Sequence, residues 1–134
     1  KPSRTYFTHI CHDLPHAAAF PFALRRALLN VLMNAIQFAP KGSEITVTLS
    51  HRGDRVATDV LDRGPGIPPE KREKIFGMFE TGRPEGTGLG LFLARTAIRR
   101  CGGDIQAFGR EGGGADLRIS LPAVLRTPPA TPNS

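Results

Sequence analysis

Asp62-Arg63-Gly64-Pro65-Gly66-Ile67 and, further on, Gly86-Thr87-Gly88-Leu89-Gly90-Leu91 are the stretches whose reading decides the fold. The acid stands at the end of one predicted element, and the second glycine cluster opens another. Glycine lets the backbone approach a ligand without a Cβ in the way. A helix that starts behind such a loop offers free N–H groups and the positive end of its dipole, which suits phosphate. The pair of motifs implies a nucleotide pocket, with the base at Asp62 and phosphates near Gly86, Gly88 and Gly90.

Upstream of Asp62, residues 56–62 alternate as a strand, with Val56, Thr58 and Val60 on one face and Asp62 at the same parity. The carboxylate is therefore expected to point to the covered side. A buried carboxylate is costly unless hydrogen-bonded, and the exocyclic amine of a base would satisfy it. The plainer alternative is a turn-forming Asp before Gly-Pro-Gly. Arg52-Gly53-Asp54 turns back into a half-buried strand over 44–50, where Ile45, Val47 and Leu49 alternate with polar residues.

Residues 21–40 carry the strongest helical pattern. Leu24, Leu28, Val31, Ala35 and Phe38 make an apolar stripe. Asn30, Asn34 and Gln37 make a second, polar stripe. Three amides in register are unusual, because Asn is a weak helix former. Two readings stand level: a solvated face, or a row of uncharged oxygens and N–H groups directed at metal and phosphates.

Downstream of Asp62, Pro68-Pro69-Glu70 begins a short predicted helix whose packing face is Ile75, Phe76 and Phe79. Residues 80–85 read as a small polar lid. A second long helix covers 88–101, with Leu91, Ala94, Ile98 and Cys101 on one face and Gly102-Gly103 as its stop. Arg95, Arg99 and Arg100 in its later turns complement the dipole. Strands follow at 105–108 and 115–121, and the proline-rich 123–134 reads as a flexible tail.

The 134 residues, 40% hydrophobic and 22% charged, describe one ordinary globular domain. No apolar run reaches membrane-spanning length. The chain opens without Met and in mid-pattern, which leads us to expect a piece of a larger protein. Two cysteines without C-x-x-C spacing imply reduced thiols and a cytosolic setting. His9, Cys11, His12 and His16 cluster, but their spacing is not that of a zinc site. His12-Asp13-Leu14 mimics a phospho-accepting H-D-L box. Pro15 would break the long helix such a box needs, so a strand end and turn is the better reading. The net charge of +6 comes from scattered arginines with no interleaved aromatic platform, so nucleic acid is not expected as a partner.

The order of these pieces resembles the catalytic and ATP-binding domain of sensor histidine kinases, within the wider superfamily of gyrase, heat-shock protein 90 and mismatch-repair ATPases. L-x-N-x-L-x-N-A at 28–35 is similar to the N box, D-R-G-P-G-I at 62–67 to the G1 box, I-F-G-M-F at 75–79 to the F box, and G-T-G-L-G-L at 86–91 to the G2 box. The resemblance implies a two-layer α/β sandwich, with a mixed, mostly antiparallel sheet covered by three helices. It implies ATP and Mg²⁺ as cofactors, with Asn30 and Asn34 serving the metal and the phosphates. Asp62 would accept from adenine, while Gly64, Gly66, Ile67 and Phe38 line the base. Gln37, Gly86, Thr87, Gly88, Leu89 and Gly90 complete the nucleotide contacts. The short lid resembles the nitrogen-regulation type, placing Arg83 to meet the γ-phosphate.

The same resemblance implies three segments. Residues 1–21 are a strand and lead-in from an absent dimerisation domain, 22–122 the ATP-binding core, and 123–134 the tail. It implies a histidine-bearing dimerisation domain and a downstream response regulator as partners. The fragment would be monomeric and cytoplasmic, and the parent a homodimer for which a membrane anchor is open. Three departures from the family pattern stand out: Gln37 where Lys or Arg is usual, Phe38 for the usual Tyr, and Ala115-Asp116 where a Ser or Thr is common. The rival readings are an ATPase or serine kinase of the same fold, or a degenerate nucleotide-binding module. The ATPases and serine kinases resemble E-x-x-x-N-A, with Glu as general base. This chain has Asn30 there, which cannot take a proton and so favours a histidine acceptor.

Overall fold

The computed structural model describes residues 6–10, 16–17, 21–79 and 88–124. Its strands are β1 (Tyr6–Ile10), β2 (His16–Ala17), β3 (Glu44–Arg52), β4 (Arg55–Leu61), β5 (Asp104–Gly109) and β6 (Ala115–Val124). They form one sheet in the order β1-β3-β4-β6-β2, with β5 also paired to β6. β1 runs parallel to β3 and the other pairings are antiparallel. α1 (Pro21–Phe38), α2 (Gly90–Arg100) and two 3-10 turns, Pro69–Lys71 and Lys74–Phe76, cover one face. This is the two-layer α/β sandwich that the resemblance implies.

The third helical segment is a pair of short turns rather than a continuous helix. The physical reason is its poor apolar face: Phe76 is the only buried residue in the two turns. Without a packed stripe, so short a helix does not outweigh its own nucleation cost.

Strand alternation sorts the two sheet faces. Val60 lies opposite Leu117, and Leu121 opposite the buried Val56; Val60, Leu117 and Leu121 join the core under the helices. They meet Ala27, Val31 and Ala35 of α1, and Ala94 and Ile98 of α2. Each fully buried branched side chain of this kind is worth roughly 1.5–3 kcal/mol over its exposed state. On the opposite face Asp59 lies across from Arg118, and Leu61 across from Asp116. α1 thus keeps its predicted core side. Leu29, Met33 and Ile36, on its far side, are exposed.

α2 ends as the Gly-Gly pair implies. The Gly102 N–H bonds the Arg99 carbonyl and the Gly103 N–H the Ile98 carbonyl, both at 3.0 Å. Gly102 sits at φ +81, the left-handed conformation this capping arrangement requires. β6 runs through Val124, past the point where composition alone suggests a tail. Ala123 pairs with Ala17 and donates its N–H to the Asp54 carbonyl at 2.7 Å. Residues 125–134 lie outside the described residues, as do 11–15 with His12 and the H-D-L sequence.

Candidate nucleotide site

β4 delivers Asp62 to the covered side of the sheet, where the residue is 3% exposed. Its N–H bonds the Ala115 carbonyl at 3.0 Å, which fixes the strand end against β6. Its Oδ1 accepts from the Gly64 N–H at 2.7 Å and the Ala115 N–H at 3.4 Å. The carboxylate is thus buried, as strand parity implies, and it closes the turn into Gly64. Gly64 packs against the end of α1: a Cβ there would stand 2.5 Å from the Phe38 carbonyl oxygen. Gly66, at φ +78, faces Gly114 of the β5–β6 turn, where a Cβ would come within 3.1 Å of its carbonyl oxygen. Glycines on two loops thus make room around one buried acid. Two arginines hold the loop ends. Arg110 donates to the Asp62 carbonyl at 3.2 Å, and Arg63 to the Glu111 and Gly113 carbonyls at 3.3 and 3.4 Å.

A second constellation lies further up α1. A Cβ on Gly90, the first residue of α2, would stand 3.7 Å from Asn30 Oδ1, so the start of α2 abuts the first amide of the polar stripe. Asn34 is half-buried, one turn on, and Gln37 is exposed. Just before α2, Gly88 adopts φ +72. Its carbonyl accepts the Phe79 N–H at 2.8 Å, and a Cβ on it would lie 2.5 Å from the Phe79 backbone. Phe79 itself has φ +65, rare for a bulky residue and a sign of backbone strain. Leu89 is the residue before the helix and caps it with no side-chain bond.

The predicted site residues therefore fall into two groups on one helix. Phe38, Asp62, Gly64 and Gly66 gather at the end of α1, and Asn30 meets Gly90 two turns earlier, with Gly88 leading into that helix start from Phe79. Asn30 and Phe38 are ~12 Å apart along the axis at 1.5 Å per residue. Ile67 is partly in the core, and its carbonyl accepts from Arg72 Nε at 3.0 Å. Arg83, Gly86 and Thr87, and with them the lid, lie outside the described residues.

Sequence reasoning missed three buried residues, of which only Gly114 borders the site. Gly114, buried at φ +111, fits under the Asp62 carbonyl, where any Cβ would overlap it. The run Gly112-Gly113-Gly114, all at positive φ, was the available signal. Asp116 is 7% exposed on the opposite sheet face. Burial pushes its carboxyl up to about 6 and Asp59 adds to the push, against the pull of Arg118 and Arg110. Arg95 is 9% exposed. It was read as a dipole complement, yet it lies between Leu91 and Ile98, on the edge of the core stripe of α2.

A two-layer sandwich with a buried acid in a glycine cradle, and a helix start set against a row of amides, defines an ATP-binding domain. Residues 20–125 match the family described as histidine kinase-, DNA gyrase B-, and HSP90-like ATPase, and the chain belongs to that family. Within it, the chain is an ATP-binding catalytic domain of the sensor histidine kinase type. It is 41% identical over 101 residues to the sensor protein KdpD of Escherichia coli (strain K12), a match covering 72% of this chain and 11% of KdpD. It is 38% identical over 125 residues to the adaptive-response sensory kinase SasA of Rippkaea orientalis, covering 90% of this chain and 32% of SasA. The structure of full-length ShkA in complex with AMPPNP superposes with a TM-score of 0.78 at 31% identity, covering 93% of this chain and 27% of that one. The chain thus spans a third or less of the length of these relatives.

Proposed function

We propose that this domain transfers the γ-phosphoryl group of Mg²⁺-ATP to a histidine on a separate helical dimerisation domain of the same protein. In this reading Asp62 accepts a hydrogen bond from the adenine amine, and Phe38, Gly64, Gly66 and Ile67 line the base. Asn30 and Asn34 hold Mg²⁺ and phosphate oxygens. Gln37, Arg83, Gly86, Thr87, Gly88, Leu89 and Gly90 supply the remaining phosphate contacts. The metal, when bound, neutralises charge on the phosphates. The domain's own residues position the nucleotide and exclude water, which is most of what phosphoryl transfer asks of a protein. The acceptor imidazole attacks γ-phosphorus, the bond to the β-phosphate oxygen breaks, and ADP leaves.

The observation that carries the reading is Asn30 abutting the start of α2. A hydrolytic relative needs a proton acceptor at that point, and an amide has none to offer. The imidazole acceptor brings its own nucleophilic lone pair. The later partner is a response regulator that takes the phosphoryl group from the histidine. The parent is a homodimer, this domain a monomer on its cytoplasmic side. Among the described residues no helix is long and apolar enough to cross a membrane. The test is a radiolabelled transfer assay with Mg²⁺-ATP and a supplied histidine-bearing helical domain. The expected result is acid-labile label on that domain and negligible phosphate release by the ATP-binding domain alone. Steady stand-alone hydrolysis with no label on any acceptor would falsify the proposal.

A further inference from the structure

Arg95 is a buried charge with two acidic partners and a ring contact, and it lies on the side of α2 turned away from Gly90, the residue that meets Asn30. Phe92, Arg95, Thr96 and Arg99, spaced three, four and seven along the helix, form one stripe there. With Glu73, Phe76 and Gly77 they line a shallow cavity of about 220 Å³ between α2 and the second 3-10 turn. The Arg95 guanidinium crosses the floor of this cavity. It lies over the Phe76 ring at 4.5 Å from the centroid. Its Nε donates to Asp104 Oδ1 at 3.1 Å, and its Nη2 is 3.0 Å from both Glu73 oxygens. Asp104 also accepts from Arg99 Nε at 2.9 Å and from the Ile105 N–H. Burial alone would raise its carboxyl, but the bonds from Arg99 and Arg95 outweigh that and hold it below the ordinary value.

One side chain therefore ties three elements together: α2, β5 and the turn that carries the F-box residues. The turn is otherwise held by the partly buried Ile75 and by the Arg72 bond to the Ile67 carbonyl. Between residues 69 and 79 Phe76 alone is buried, and Glu70, Lys71, Glu73, Lys74, Met78 and Phe79 are exposed. Three residues beyond Phe76, the Phe79 N–H holds the Gly88 carbonyl in a strained conformation. Gly88 in turn leads into the first N–H groups of α2 beside Asn30.

We infer that Arg95 is a positioning residue for the phosphate end of the nucleotide site. It acts through Phe76, Phe79 and Gly88 to orient the N–H groups that open α2. The inference rests on the nucleotide reading above. It assigns no contact between Arg95 and ligand. The adenine end is built mainly on other elements, β4, the end of α1 and the β5–β6 turn, and it meets this turn through the Arg72 bond to the Ile67 carbonyl rather than through Arg95.

The experiment uses this domain and two probes, adenosine and Mg²⁺-AMPPNP, titrated into the wild type, Arg95→Gln and Glu73→Gln. Arg95→Gln is expected to leave the adenosine Kd within about twofold and to weaken AMPPNP about tenfold, the scale of one charge-assisted phosphate contact. Glu73→Gln removes one tie without burying an orphan charge. It should shift the ratio of the two affinities in the same sense by a smaller factor, which keeps the test decisive if Arg95→Gln folds poorly. Amide exchange at Phe79 in the absence of nucleotide should quicken in both variants. A purely structural role would weaken both probes in parallel, and that outcome overturns the inference, as does an unchanged ratio. A wild type that binds neither probe overturns the nucleotide reading itself, a distinct result.

Discussion

Asp116 sits on the uncovered sheet face in an arrangement that costs stability at neutral pH, and replacing it with Asn should recover that cost. The residue is 7% exposed, and its Oδ1 has no hydrogen-bond partner among the described residues. Arg118 gives its full fork to Asp59, with Nε and Nη2 at 2.8 and 3.2 Å, and stacks on Phe108 at 4.6 Å. Only a long 3.8 Å approach is left for Asp116 Oδ2. Asp116 is the less well-paired acid of the two. Its carboxyl is raised from 3.8 to about 6 by burial first and by Asp59 second.

The sign follows from proton counts. Between pH 3.8 and about 6 the folded state holds a proton that the unfolded state has released. Stability from this group is therefore greatest at low pH and falls as pH rises through that window. At about 1.4 kcal/mol per pH unit, the whole window is worth at most about 3 kcal/mol. Solvent access and the shared Arg118 bring the expected value to about 1–2 kcal/mol. Asp116→Asn keeps the shape and removes the charge. Urea unfolding of both proteins from pH 3.5 to 7.5 reads the difference directly. The two should agree below pH 4, and the variant should lead by about 1–2 kcal/mol above pH 6.5. A difference flat in pH, or a variant less stable at pH 7.5, refutes the reasoning.

Asp62→Asn should weaken adenine nucleotides about tenfold to a hundredfold, because a charge-assisted acceptor becomes a neutral group with a donor attached. Calorimetry showing equal ATP and GTP affinity for the wild type would remove Asp62 from base recognition. Asn30→Ala should abolish Mg²⁺-dependent phosphotransfer while sparing most adenosine affinity, since Asp62 is on another element. Asn30→Glu should bring slow ATP hydrolysis without an acceptor, and release of inorganic phosphate at the wild-type background level would count against residue 30 as the divide between kinase and hydrolase. Gly88→Ala should destabilise the turn before α2 by at least about 1 kcal/mol. The φ is +72, and the new Cβ would meet the Phe79 backbone. Thermal melting at wild-type temperature would show that the Phe79–Gly88 closure bears no load.

What the sequence made legible were the features set by local period and by glycine. Val31 and Ala35 were read as core from their spacing and are fully buried. Asp62 was directed inward by strand parity alone and is inside. The Gly102-Gly103 stop has the bonds its residues imply. What stayed hidden depended on partners distant in sequence. Arg95 looked like a cation at a helix C-terminus, because nothing local announces Glu73 and Asp104 as its partners. The short β2 exists because the end of β6 offers it an edge, and two residues carry no period. The turns at 69–76 followed proline composition into a predicted helix, whereas the missing apolar stripe decided otherwise.

The arrangement also explains why one helix organises the site. α1 meets the core through Ala27, Val31 and Ala35, so its rotation is fixed by packing against the sheet and α2. With rotation fixed, Asn30 is presented to the start of α2, and the Phe38 carbonyl to Gly64. The separation of those two points is then set by helical rise and by nothing flexible. A ligand that uses both ends must span that length. On the proposed reading, adenosine would reach one end only, while an extended triphosphate would reach both. Discrimination between them would then follow from the pitch of α1. On the same reading the loops would set how well each end is gripped, and the amide at position 30 would leave no group there to take a proton.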